Sequence, residues 1–231
     1  MSHDCHFPCN NNQWRCVIDE VICHFPFAAL SLTVGLILLS IMTASISTNA
    51  DVLHCSFYQL FHTFHYLHIF FASAGSFLTF LKYSRNWFKG IVVGLITPVI
   101  FCVLSDIILP YAGGALLGVH MHLHICFITE YTNVIVFLLM GLFLGAILRF
   151  HMERKHEGSF FTRGLHFGHI FLSSMASLFY MISHGFVSWA QYMGPIYALL
   201  IVAVVVPCTL SDIVVPVILA RNGRCDGCDT I

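Results

Sequence analysis

Two histidine pairs in the chain share one spacing, His65 with His68 and His166 with His169. Three residues along a helix bring both imidazoles of a pair onto one face. Each pair is followed by an aspartate inside an apolar stretch, Asp106 in CVLSDIILP and Asp212 in CTLSDIVVP. Imidazole nitrogens and carboxylate oxygens are ligands for divalent transition metals, and only neutral imidazole binds, so metal and proton compete. His24 and Glu130 stand 106 residues apart, the same interval that separates the aspartates, and add one donor to each group. The predicted metal ligands are therefore Glu130, His65, His68 and Asp106 in one set, and His24, His166, His169 and Asp212 in the other. Such sets suit Zn²⁺, while Fe²⁺, Mn²⁺, Co²⁺ or Ni²⁺ would use the same atoms with water added. Histidines in membrane helices also act as interhelical hydrogen-bond glue. Duplication of the pair, each copy with an acid, favours the metal reading.

A second tier of candidates lies outside the apolar stretches. His120, His122 and His124 in HMHLH form an imidazole cluster able to capture a metal, with Asp51, His54 and His184 predicted near the same face. Cys225 and Cys228 form a CxxC pair, and Cys5, Cys9, Cys16 and Cys23 crowd the start beside His3 and His6. In a reducing compartment such thiols read as soft-metal or redox groups rather than a disulfide.

Groups this costly to bury need a framework that hides them from water. Only 10 of 231 residues are Lys or Arg and 11 are Asp or Glu, while 58% are hydrophobic and mean hydropathy is +0.85. A soluble globule of this composition would expose apolar patches far larger than monomers tolerate, so the chain belongs in a bilayer. Apolar stretches at 24–47, 55–82, 90–111, 131–149, 164–184 and 191–219 predict six transmembrane helices, each near the ~20 residues a crossing requires. The start reads as polar and unlike a signal peptide. Arg15, Lys82, Arg85, Lys89, Arg149, Arg154, Lys155, Arg163, Arg221 and Arg224 all fall on one side of this arrangement. Retention of such residues in the cytoplasm predicts a multi-pass protein of the cytoplasmic membrane with both termini inside.

The spans repeat. CVLSDIILP at 102–110 and CTLSDIVVP at 208–216 agree at six of nine positions, and GLILLSI at 35–41 matches GLFLGAI at 141–147 at four of seven. HYLHIFFASAGSF at 65–77 aligns with HFGHIFLSSMASL at 166–178 at six of thirteen. Three spans per copy force the second to enter from the opposite face. The predicted fold is an all-α membrane protein of six transmembrane helices arranged as two inverted three-helix repeats. Its parts are an N-terminal Cys/His segment (1–23), repeat one (24–111), an outer His-rich loop (112–130), repeat two (131–219) and a tail (220–231). Pro110 and Pro216, four residues after the aspartates, are expected to free the carbonyls of Asp106 and Asp212.

Ionisable residues within a span cost about 2.5–3.5 kcal/mol and usually face a cavity or partner. With inverted repeats, they point first to a transporter, secondary or channel-like and proton-coupled, for a divalent transition metal, Zn or Fe foremost. On that reading the chain is a carrier and not an enzyme. The alternatives are an intramembrane metal-dependent enzyme (hydrolase or di-iron oxidase), a b-type haem electron carrier, and a subunit whose polar groups only pack helices. The expected partners are the bilayer, the metal ion and a homo-oligomeric or other subunit. No ATP-binding glycine loop and no nucleic-acid pattern is present.

Overall fold

The computed structural model describes residues 13–45, 50–155 and 158–222, with side chains at 22, 24–45, 52–151 and 167–220. Among them the regular structure is all helical. The elements are α1 (Gln13–Ser45), α2 (Ala50–Tyr83), α3 (Trp87–Val103), α4 (Leu109–Leu116), α5 (Cys126–Thr129), α6 (Tyr131–Lys155), α7 (Gly158–Ser183), α8 (Met193–Thr209) and α9 (Val215–Asn222). Short π-helical segments, Leu104–Ile108 and Leu210–Val214, join α3 to α4 and α8 to α9 into continuous rods. Five rods are long and apolar enough to cross a membrane: His24–Ser45, Val52–Tyr83, Trp87–Leu116, Tyr131–His151 and Trp189–Ala220. The chain is thus a multi-pass membrane protein. Where a sixth span is expected, α7 contributes a shorter apolar stretch, Phe167–Ser183.

Helix α2 is the hub, packed against α7, α6 and α3, while α1 lies on α7 and α8. Its apolar window is 61% buried, against 33% for α1 and 28% for α6. The two outer helices turn Leu30, Ile37 and Ile41, and Leu139, Phe143 and Ile147, outward. In a bilayer that surface faces acyl chains, which impose no penalty on it. Small residues let the helices close on α2. A Cβ at Gly141 of α6 would collide with the Phe70 carbonyl, so only glycine fits.

The two ends of the bundle differ. At one end the rings of Trp87 and Phe150 stack at 5.4 Å, and Ala220 packs on Phe77, Phe80 and Leu81. This end carries Lys82, Arg85, Lys89 and Arg149. At the other, the chain leaves α4 through Gly118, whose φ of +76° suits glycine, and runs without regular structure to Ile125. There the His122 amide donates to the His184 carbonyl (2.9 Å) and the His124 amide to the Tyr180 hydroxyl (3.2 Å).

The prolines disturb the rods in a way that differs from the expectation. In a π-helical turn the carbonyl of residue i pairs with the amide of i+5, as Leu104 does with Leu109 and Leu210 with Val215. The next pairing would need amides at positions 110 and 216, which are prolines and have none. The carbonyls left over in this pattern belong to Ser105 and Ser211, not to the aspartates. They are satisfied by hydroxyls from facing helices: Ser177 Oγ donates to the Ser105 carbonyl (3.1 Å) and Ser76 Oγ to the Ser211 carbonyl (2.9 Å). Ser76 and Ser177 are equivalent positions of the repeated segment, and each serves the other half of the chain.

Candidate metal centres

His62, His65 and His68 follow one another at intervals of three along α2 and are buried. The π-helical turn swings Asp106 toward this face. Asp106 Oδ2 accepts from His65 Nδ1 (2.8 Å) and His68 Nδ1 (2.7 Å), while Oδ1 accepts from Ser105 Oγ (2.7 Å) and Ser173 Oγ (2.8 Å). Both oxygens are therefore occupied, and Asp106 stands behind the imidazoles. A carboxylate on Nδ1 fixes the tautomer and leaves Nε2 as a lone pair. His65 Nε2 is buried without a hydrogen-bond partner among the described residues.

His68 Nε2 points to the junction of the two halves. It lies 3.3 Å from His169 Nε2 on α7, 3.7 Å from Cys208 Sγ on α8 and 3.8 Å from Cys102 Sγ on α3. His68, His169 and Cys208 bring one donor atom each to within 4.8 Å of one another, all three residues buried. An ion about 2.0–2.1 Å from nitrogen and about 2.3 Å from sulfur, held tetrahedrally, requires about 3.3 Å between nitrogens and about 3.6 Å between nitrogen and sulfur. The observed spacings meet that requirement. Behind His169, Asp212 Oδ2 lies 3.6 Å from Nδ1, in the position Asp106 has behind His68. A Cβ on Gly75 would come within 2.9 Å of Asp212 Oδ2, so the glycine makes room for this carboxylate.

The second cluster sits at the end opposite the Lys/Arg side chains. His62, His124 and Cys126 again bring three donors within 4.8 Å of one another. His62 Nδ1 donates to the Tyr58 carbonyl (2.8 Å), which leaves Nε2 as the lone pair. Around that nitrogen lie Cys126 Sγ at 3.5 Å and Glu130 Oε1 at 3.2 Å. Glu130 is anchored by the Tyr66 hydroxyl and by Asn133 Nδ2 (3.4 Å). Burial pushes the Cys126 thiol up to about 12, with the Glu130 charge adding to the shift. Burial also lowers His124, whereas for Glu130 the Tyr66 hydroxyl and His62 outweigh burial and hold the carboxyl below its usual range. Both clusters suit a divalent transition-metal ion.

The predicted donors are redistributed. His65, His68 and Asp106 meet as one group, and His169 and Asp212 as another that touches it through His68. Glu130 lies beside His62. His24 is buried in α1 and belongs to neither cluster. His124 joins the second cluster while His120 and His122 are exposed. His166, Cys225 and Cys228 lie outside the residues whose side chains are described, as do Asp51 and the N-terminal cysteines. Sequence reasoning missed His62, Cys126, Cys102 and Cys208. The signals were present: a third histidine at the same interval, the HIC of residues 124–126, and the cysteine that opens each copy of the LSD repeat.

The preference for a carrier that is not an enzyme is reversed by these clusters. Two sets of two imidazoles and a thiol, the central one fully buried and with Asp106 bonded behind His68, are more consistent with a metal-dependent enzyme than with a simple transporter. Compared with protein-family models, curated proteins and solved structures, the chain matches none.

Proposed function

We propose that the protein is an intramembrane metal-dependent enzyme whose centre is held by His68, His169 and Cys208, with Zn²⁺ as the metal and hydrolysis of a lipid-borne substrate as the reaction. The observation that carries this reading is the 3.3 Å approach of two imidazole nitrogens with a thiol 3.7 Å away, a convergence of donors spaced as the ligands of one cation are. Three protein ligands leave a fourth position, the pattern of catalytic rather than structural zinc. Cys102, outside the mutually close set, borders that position. Sulfur in the donor set favours zinc over an iron-carboxylate pair. The bridging role a di-iron site demands is also denied to Asp106, whose oxygens already accept four hydrogen bonds.

A zinc ion in such a set supplies a water ionised near neutral pH. The chain supplies the rest. Asp106, braced by Ser105 and Ser173, keeps the His68 lone pair aimed at the centre, and Asp212 Oδ2, 3.6 Å from His169 Nδ1, stands where a slightly closer approach would do the same for His169. Burial within the spans keeps bulk water out. The lipid character of the substrate is supported by an apolar lateral cleft of about 430 Å³ between α1 and α8, lined by Leu36, Ile37, Met193 and Tyr197 among others. Tyr197 precedes Cys208 on α8 by roughly 16 Å of helix.

The reading includes six spans built as two inverted halves, 24–111 and 131–219, with the Lys/Arg end and both termini in the cytoplasm. Its support is the pairing of equivalent parts: π-helical turns at the two LSD motifs, His68 opposite His169, and serines 76 and 177 exchanged between halves. The test is hydrolysis of a fluorogenic fatty-acyl ester by zinc-loaded protein in nanodiscs. Activity that disappears with chelator, returns with zinc and falls at least a hundredfold in Cys208→Ser and His169→Ala supports the enzyme. Zinc movement into sealed vesicles that depends on His68, with no hydrolysis, contradicts it.

A further inference from the structure

The cluster at the far end differs from the central one in what surrounds it, and the difference points to another job. His62 comes from α2, His124 from the irregular segment after α4, Cys126 from the first turn of α5 and Glu130 from its end. We propose that this cluster is a second, independent metal site, closed by Glu130 as fourth donor, whose ion clamps residues 117–130 to α2. It does not rest on the catalytic reading of the central site.

Three features carry the proposal. The His62 lone pair on Nε2 faces a carboxylate oxygen at 3.2 Å and a sulfur at 3.5 Å. A thiol and a carboxylate oxygen thus meet on the lone-pair side of one imidazole, where a divalent ion would replace the thiol proton and be bound by all three. The distances again fit tetrahedral zinc, about 3.6 Å for nitrogen to sulfur and about 3.4 Å for nitrogen to oxygen. Glu130, outside the mutually close three but 3.2 Å from His62 Nε2, is the donor that would complete the shell, and two imidazoles, a thiolate and a carboxylate then leave no open position, as in a structural site. The clamp also has something to hold. Segment 119–125 has no regular structure, and its cross-chain backbone bonds among the described residues are those of the His122 amide to the His184 carbonyl, the His124 amide to the Tyr180 hydroxyl, and the His122 carbonyl from the same hydroxyl (3.4 Å). An ion joining His124 and Cys126 to His62 closes a loop of more than sixty residues, and metal binding of that kind is folding free energy for the segment it fastens.

The experiment is zinc stoichiometry of the purified full chain in detergent, with hydrogen exchange of segment 117–130. Wild type should hold two zinc ions. Cys126→Ser and His124→Asn should each hold one, and so should Cys208→Ser, which removes the central ion instead. Glu130→Gln should retain zinc in the second site with affinity lowered on the order of tenfold to a hundredfold. In wild type, chelator should speed exchange in 117–130, and zinc should restore it. The proposal is overturned if Cys126→Ser and His124→Asn both keep the wild-type stoichiometry. It is overturned equally if chelation of wild type leaves exchange in that segment unchanged, a readout that requires no variant to fold. Loss of hydrolysis with both ions present would strike the catalytic reading and leave this one standing.

Discussion

The two clusters use nearly the same donors in opposite ways. At the centre, His68 and His169 come from the two halves of the chain and meet at the molecule's interior junction, each with an aspartate behind it. At the far end, His62 is held by a backbone carbonyl and a carboxylate has moved to the front, beside the lone pair. A carboxylate behind an imidazole orients it, whereas one in front becomes a ligand. The contrast teaches that the position of the acid, and not the presence of two histidines and a cysteine, separates an open centre from a closed one.

The largest expected effect comes from removing the acid behind. Asp106→Asn presents an amide N–H to donors that need an acceptor, so His68 turns or changes tautomer. Central zinc affinity should fall on the order of tenfold to a hundredfold, while the far site keeps its ion. Competitive chelator titration of both sites would check this, and equal weakening at the two would erase the distinction. The same change strands buried donors, each worth about 1–3 kcal/mol, so a lower melting temperature should accompany it.

A smaller contrast lies in pH. Since burial raises the Cys126 thiol to about 12, it is protonated throughout the neutral range and zinc must displace its proton. Burial lowers the pKa of His124, which reduces the share of the dependence that this imidazole adds. Zinc affinity at the far site should therefore rise about tenfold for each pH unit between 6 and 8. A flat profile in Cys208→Ser, where only the far site remains, would show that the thiol is not a ligand.

The smallest effect tests the junction between halves. Ser177→Ala and Ser76→Ala each remove the hydroxyl that serves a carbonyl made vacant by a proline. Each should cost about 0.6–1.7 kcal/mol, nearly the same in both if the halves are equivalent. Thermal unfolding of the two variants in one detergent gives the comparison, and a large difference between them would weaken the repeat.

Much of the framework was legible because the bilayer makes polar residues expensive. His65, His68, His169, Asp106 and Asp212 stand out against apolar neighbours, and the repeated LSD motif with its proline marks where the two rods are disturbed, though not that the disturbance is a π-helical turn. What lay hidden depends on tertiary approach. Cysteine within a span reads as a small hydrophobe, so Cys102 and Cys208 gave no sign that both would border His68. His62 has no histidine counterpart in the second half, where Arg163 stands at the corresponding position, and a search guided by duplication passes over it. Glu130 lies beside His62, delivered there by the turn at Cys126–Thr129, which no spacing pattern in the sequence marks. The carbonyls freed by proline were placed one residue too far along, since an ordinary α-helical count was applied to a π-helical turn.

The proposed enzyme turns on one ion that joins the two halves through His68, His169 and Cys208. X-ray absorption at the zinc edge of the Cys126→Ser protein, which should hold only that ion, tests it most directly. One sulfur at about 2.3 Å with nitrogen or oxygen neighbours at about 2.0–2.1 Å is expected. A zinc shell of oxygen and nitrogen alone, or no retained zinc in a folded protein, would contradict it.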